Sequence, residues 1–265
     1  MGHSSIKSLY KSLSPKFMKK MIRENRIKFI KRNYIDNYIV GKHLRHVLLS
    51  RDIDLVIDVG ANGGQFARLL RSKAGYKGPI LSFEPQPHMF SQIQEQAKKD
   101  PDWKVFNLGI GSSASVLTLN VMRSNVFSSF LQPKDGLLSD LNEVVETVEV
   151  PVARLDAHLK SLNVKYRNIL LKTDTQGYDL EVIKGAEGIL DDVQAIVAEL
   201  SFVQIYEGAP RHTDMMSCFT AMNFTMSGLY PVSLSHGQAI ECDCIMVKAK
   251  ESAVKDHMPY IDVLV

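Results

Sequence analysis

The stretch Asp54–Phe66, DLVIDVGANGGQF, limits the possible folds more than any other part of the chain. Leu55–Val59 is a short apolar run rich in β-branched residues, which suits a strand buried on both faces. Gly60, Gly63 and Gly64 follow and allow a tight turn with no side chain in the way. Phe66, Leu69 and Leu70 then recur at helical spacing. A buried strand turning directly into a helix opens a βαβ unit, and such units build parallel sheets covered on both faces.

The alternation continues along the chain. Pro79–Phe83 reads as a strand ending in Glu84-Pro85, with a helix through roughly Met89–Lys98. Lys104–Leu108 reads as a third strand, and Val116–Val121 and Glu143–Val152 as extended pieces around the loop SNVFSSFLQPKDG. Asp156 or a neighbour is expected to cap a short helix ending near Leu162. Asn168–Thr173 is a buried strand ending in Asp174. Tyr178–Leu190 is helical, and Ala195–Leu200 is a strand whose end carries Glu199. A helix through Met215–Met222 precedes a closing hairpin of Phe224–Tyr230 and Cys242–Lys248. The expected fold class is α/β, Rossmann-like, with a mostly parallel sheet and an antiparallel C-terminal strand.

Three segments are expected: a basic helical extension over 1–50, the α/β domain over 51–250, and a tail over 251–265. The net charge of +3 conceals an asymmetry, because residues 1–36 carry +8 and the remainder −5. The leader is expected to be a helical cap on the domain or on a second subunit; the alternative is peripheral contact with an anionic membrane surface. Nucleic-acid binding is not expected, since no aromatic RNA-binding motif or zinc site accompanies the basic residues. No run approaches the roughly 18–20 apolar residues of a membrane span, and Lys and Arg interrupt the N-terminus repeatedly. Cys218, Cys242 and Cys244 form no disulfide framework, and a reducing, cytoplasmic compartment is the expectation.

In open parallel sheets, ligands bind outside the carboxyl ends of the strands. The residues there are Asp58, Glu84, Asn107, Asp174 and Glu199, and four of the five are carboxylates. The turn DVGANGG is neither the GxGxxG of a dinucleotide site nor a P-loop. Asp58 stands where those folds bring a phosphate, so it repels phosphate and suits a cation. S-adenosylmethionine carries a sulfonium and an ammonium and has no phosphate. Glu84, at the next strand end, is in the usual place to accept hydrogen bonds from both ribose hydroxyls. A nicotinamide-dependent oxidoreductase and a non-catalytic binding protein are the alternatives from other classes.

DVGANGGQF, FEPQP, LLKTDTQGYDLEVIKGAEGIL and VAELSFVQIYEG, in that order, resemble the FkbM family of S-adenosylmethionine-dependent methyltransferases over roughly residues 52–248. The resemblance implies a seven-stranded methyltransferase sheet and methyl transfer to a hydroxyl of a sugar, glycan or glycolipid. A polyketide or other small-molecule hydroxyl, or a nitrogen, is the alternative acceptor. Carried over by position, the cofactor residues are Asp58, Gly60, Ala61, Asn62, Gly63, Gln65 and Phe66, with Glu84 and Pro85 at the ribose. Gln86, Asn107 and Leu108 would flank the adenine, and Asp174 would lie near the methionine portion.

Methyl transfer to an alcohol needs alignment of the reacting atoms and removal of a proton. The candidate bases are Asp174, Glu199, Asp243, which is read as beginning the last strand, and His236; His212 and His236 are both read as loop residues near the crevice. Carboxylates converging without a cationic partner repel one another, so one of them should hold its proton or a divalent cation such as magnesium should bind at Asp174, Glu199 and Asp243.

Overall fold

The computed structural model describes residues 37–134 and 143–249. The 1–36 part of the basic leader and the 251–265 tail lie outside the described residues. Residues 37–50 form helix α1. Strand β1 (Leu55–Val59) leads into α2 (Gln65–Leu69), which continues as a wider π-turn to Ala74. Then come β2 (Ile80–Phe83), α3 (Pro87–Ala97) and β3 (Trp103–Phe106). The second half holds β7 (Ile169–Thr173), α5 (Asp179–Gly185), β8 (Val193–Ser201), α6 (His212–Ala221), β9 (Phe224–Ser235) and β10 (Gln238–Lys248). Between the halves lie β4 (Gly109–Ile110), β5 (Ser115–Met122), β6 (Val144–Ala153) and α4 (Leu155–Leu162).

The main sheet has seven strands in the order β3-β2-β1-β7-β8-β10-β9. β3, β2, β1, β7 and β8 run parallel to one another, and β10 runs antiparallel to both β8 and β9. The strand order reverses at β1, which is where such sheets open a crevice. The expected Rossmann-like α/β fold, with its antiparallel C-terminal strand, is the observed one.

Period-two alternation divides the core. Leu55, Ile57, Val59, Ile169, Leu171, Ile196, Ala198, Cys244 and Met246 pack with Leu155 and Leu159 of α4, Val182 and Ile183 of α5, and Met215 and Phe219 of α6. Val56, Leu170, Ala195, Val197, Ile245 and Val247 point the other way, onto Leu44, Val47 and Leu48 of α1, Ala67 and Leu70, and Ile93 of α3. Continuing this second series puts Asp58, Lys172, Asp174, Glu199, Asp243 and Glu241 on one face. The polar residues are thus the ends of an apolar stripe.

Several boundaries differ from the sequence expectations. The third strand starts at Trp103, because the Trp103 indole is itself buried and donates to Ser82 Oγ at 2.9 Å. Asp156 lies in the first turn of α4, and Arg154, beside the helix start, pairs with its carboxylate at 2.5 Å. The two extended pieces β5 and β6 pair antiparallel and, with β4, form a separate three-stranded sheet. Its inner face buries Leu119, Val121 and Val150. Among the described residues no helix is long and apolar enough to cross a membrane.

Candidate functional site

The turn after β1 fits its neighbours closely. Gly60 has φ +75, and a Cβ there would sit 1.9 Å from the Asp174 carbonyl oxygen, so the turn rests on the end of β7. Only glycine fits both the conformation and the contact. The Asn62 amide donates to Glu84 Oε2 at 2.6 Å, and the Gln86 amide donates to Oε1 at 2.9 Å. Burial raises the Glu84 carboxyl to about 7 against the pull of these two N–H bonds and of Lys172. Asn107 Nδ2 donates to the carbonyls of Glu84 and Pro85, at 2.9 Å each, and so shapes the loop.

A cavity of about 530 Å³ opens above this turn. Gly60, Ala61, Asn62, Gln65, Phe66, Glu84, Pro85, Gln86 and Leu108 wall one end, and Asp174, Glu199, Asp243 and Glu241 stand at the other. Phe127 and Phe130 line it as well, as do Val40 of α1 and Tyr230 of β9. Gly63 and Asn107 support the loops and do not line the cavity.

Asp58 corrects the sequence expectation. It is fully buried beneath the turn, and its charge is already matched. Lys172 Nζ lies 3.1 Å from Asp58 Oδ1, and Ser82 Oγ donates to Oδ2 at 3.2 Å. The same ammonium donates to the Gly60 carbonyl at 2.7 Å and lies 3.5 Å from Asp174 Oδ2. Burial pulls the Lys172 amine down, but Asp58 and then Asp174 outweigh it and raise it above its ordinary value. Asp58 therefore positions Lys172 and the turn from below. A lysine within the buried run ILLKT was the available signal, because a buried ammonium requires a partner.

Lys172 also bears on the expected metal. Its ammonium already meets Asp174, one of the three acids expected to hold that ion. Among the described residues no group of three or more His, Cys, Asp or Glu side chains is arranged to hold a metal ion, and Asp174, Glu199 and Asp243 do not fit that role.

Asp174, Glu199 and Asp243 do come together. Asp243 pairs with Glu199 in the β8–β10 register; it lies in the middle of β10 and does not begin it. Burial, then Asp174, raises Glu199 well above the ordinary range, and the same causes in the same order bring Asp243 to about 7. Gln176 Nε2 bridges Asp174 Oδ1 at 3.2 Å and Glu199 Oε2 at 2.9 Å. Gln176 holds a left-handed φ of 53, and buried Asp179 fixes the loop by accepting from Thr173 Oγ1 and the amides of Thr175 and Gly177. The sequence reading passed over Gln176 and Glu241, although Glu241 alternates with Asp243 in ECDC and so shares its face.

The two histidines do not join the acids. His236 is exposed in the His236-Gly237 turn between β9 and β10, 3.1 Å from Ser235 Oγ, and is not part of the cavity wall. His212 begins α6 instead of lying in a loop, stacked on Phe202 with ring centroids 4.4 Å apart.

The raised Asp243 carboxyl has a consequence for stability. Its folded-state value of about 7 lies above the ordinary 3.8, so its contribution is fully present below about pH 4 and is lost as pH rises through 7. Asp243→Asn removes that loss. At pH 8 the variant is expected to be more stable than wild type by about 1–2 kcal/mol, or roughly 2–8 °C in Tm, with the gap closing toward pH 4. Thermal denaturation across this range that shows no gap would contradict the placement.

Comparison with known proteins identifies the family of the chain. The family model for the methyltransferase FkbM domain matches residues 58–226. The hexuronic acid methyltransferase AglP of Haloferax volcanii is 24% identical over 152 residues, covering 56% of each chain. Methyltransferase 1 of Beauveria bassiana is 26% identical over 167 residues, covering 56% of this chain and 65% of that one. The chain thus spans less than two thirds of the length of these curated relatives. Among solved structures, the methyltransferase FkbM of Methylobacillus flagellatus aligns with a TM-score of 0.47 and 15% identity, over 74% of this chain and 44% of the other. The family match takes in the β1 turn, Glu84, Lys172, Asp174 and Glu199, and covers more than half of the sequence. The chain belongs to the FkbM methyltransferase family.

Proposed function

We propose that the chain transfers the methyl group of S-adenosylmethionine to a hydroxyl oxygen of a sugar. The observation that carries this reading is the single cavity joining Glu84 at one end to Asp174, Glu199 and Asp243 at the other. Its walls fit the cofactor. Near the turn they present the carboxylates of Glu84 and Asp174 and one ammonium that is already paired, which suits a cationic nucleoside and disfavours the diphosphate of a nicotinamide cofactor. The sugar acceptor is supported by the printed function of the AglP relative.

Bound S-adenosylmethionine supplies an electrophilic methyl carbon. The chain's own part is to position, shield and deprotonate. Glu84, once ionised, accepts from the ribose hydroxyls while the Asn62 and Gln86 amides hold it in place. Phe127 and Phe130 keep water from the reacting end. The Glu199–Asp243 pair takes the proton of the acceptor hydroxyl, and a base with a value near 7 is well matched to that task. Asp174, bridged to Glu199 by Gln176, holds the pair in place.

Calorimetric titration with S-adenosylmethionine and S-adenosylhomocysteine tests this reading, and failure of both to bind at high micromolar concentration would overturn it. Glu84→Gln is expected to weaken both ligands at least tenfold. For wild type, affinity should fall as pH drops through about 7, because a protonated Glu84 loses part of its accepting capacity. The variant's flat pH response checks that Glu84 is responsible.

A further inference from the structure

The far wall of the cavity carries more carboxyl groups than one proton transfer requires. Asp243 and Glu199 face each other across β10 and β8, and Glu241 follows two residues away on the same face. All three line the cavity. Glu241 is 7% exposed. One of its carboxylate oxygens accepts from Ser233 Oγ at 3.1 Å, and the other has no donor among the described residues. Among those residues, no Lys, Arg or His side chain forms an ion pair with Glu199, Glu241 or Asp243. Lys172, the ammonium in the wall, is taken by Asp58, Asp174 and the Gly60 carbonyl.

We propose that the acceptor is a hydroxylated amine, an amino sugar or amino polyol, whose ammonium docks against Glu241 and Asp243 beside Tyr230. This rests on the methyltransferase reading above and adds the charge of the substrate. Tyr230 is the cross-strand partner of Asp243 on β9 and lines the same cavity. Its hydroxyl is 2.6 Å from His43 Nδ1, which anchors the ring against α1. An aromatic ring grouped with carboxylates is a common way to hold an ammonium group. The positive groups of the cofactor do not account for these acids, since Glu241 and Asp243 stand on β10, two strands or about 10 Å beyond β7.

Charge bookkeeping favours a cation over the alternatives. A uronate would bring a further negative charge against three carboxylates. A neutral sugar would leave all three without an ion-pair partner among the described residues. Burial raises Glu199, Glu241 and Asp243, and a docked ammonium would work against that rise by favouring the ionised form.

The test uses the full chain saturated with S-adenosylhomocysteine, so that the cofactor's ammonium is already present. Glucosamine, glucose and glucuronate are titrated as probes near neutral pH. The expected result is glucosamine binding about tenfold more tightly than glucose, with glucuronate weakest. In Glu241→Gln, which keeps the shape of the side chain, the preference of glucosamine over glucose should fall toward unity. Equal or tighter binding of glucose or glucuronate, no binding of glucosamine, or a preference unchanged in Glu241→Gln would each overturn the inference. If S-adenosylhomocysteine itself fails to bind, the methyltransferase reading falls and this inference falls with it.

Discussion

Replacing Lys172 with methionine is expected to cost about 3–5 kcal/mol of stability, seen as a drop of roughly 10 °C or more in Tm. The cause is the group left behind. Asp58 is fully buried, and without Lys172 only the Ser82 hydroxyl would remain to meet its charge. The double variant Lys172→Met with Asp58→Asn should recover most of the loss, because it removes both charges together. Cofactor affinity should stay impaired in the double variant, since the Gly60 carbonyl loses its 2.7 Å donor and the turn its anchor. A single variant that loses less than about 1 kcal/mol would show that the ion pair does not hold the turn.

Removing the base should have the larger effect on rate. Glu199→Gln and Asp243→Asn are each expected to lower kcat by about 10²–10⁴-fold, while both proteins still bind S-adenosylhomocysteine. In wild type the rate should rise with pH through about 7, because the base works only when ionised. If the two acids act as one unit, the double variant will cost little more than the worse single one. Steady-state kinetics on both variants decide this. A loss of less than about fivefold in both would move the role of base elsewhere, first to Asp174.

The sheet was legible because its cause is local. Runs such as LVIDV and ILLKT are apolar throughout, and strands buried on both faces require that. The carboxylates at the strand ends were legible for the same reason, since topology places them without side-chain detail. What escaped depends on partners distant in sequence. Asp58 looked like a ligand until Lys172, 114 residues away, proved to be its counter-ion. His236 looked like a loop residue near the crevice, but the β9–β10 hairpin is long and carries it out to an exposed tip. Glu241 was passed over because strand starts are placed poorly by composition, and β10 begins four residues before the stretch that reads as apolar. The three-stranded sheet was missed because β5 and β6 pair across a long insertion, and no local signal encodes that pairing.

The contact between Gly60 and the end of β7 also bears on how the site moves. The turn hangs from the centre of the sheet, with the Gly60 and Ala61 amides both donating to the Phe83 carbonyl, at 3.0 and 3.1 Å. It cannot open without separating β1 from β2 or β7, so its amides should exchange with solvent nearly as slowly as those of the core strands. A ligand arriving there meets a surface already in its bound shape and loses little of its binding energy to ordering the chain.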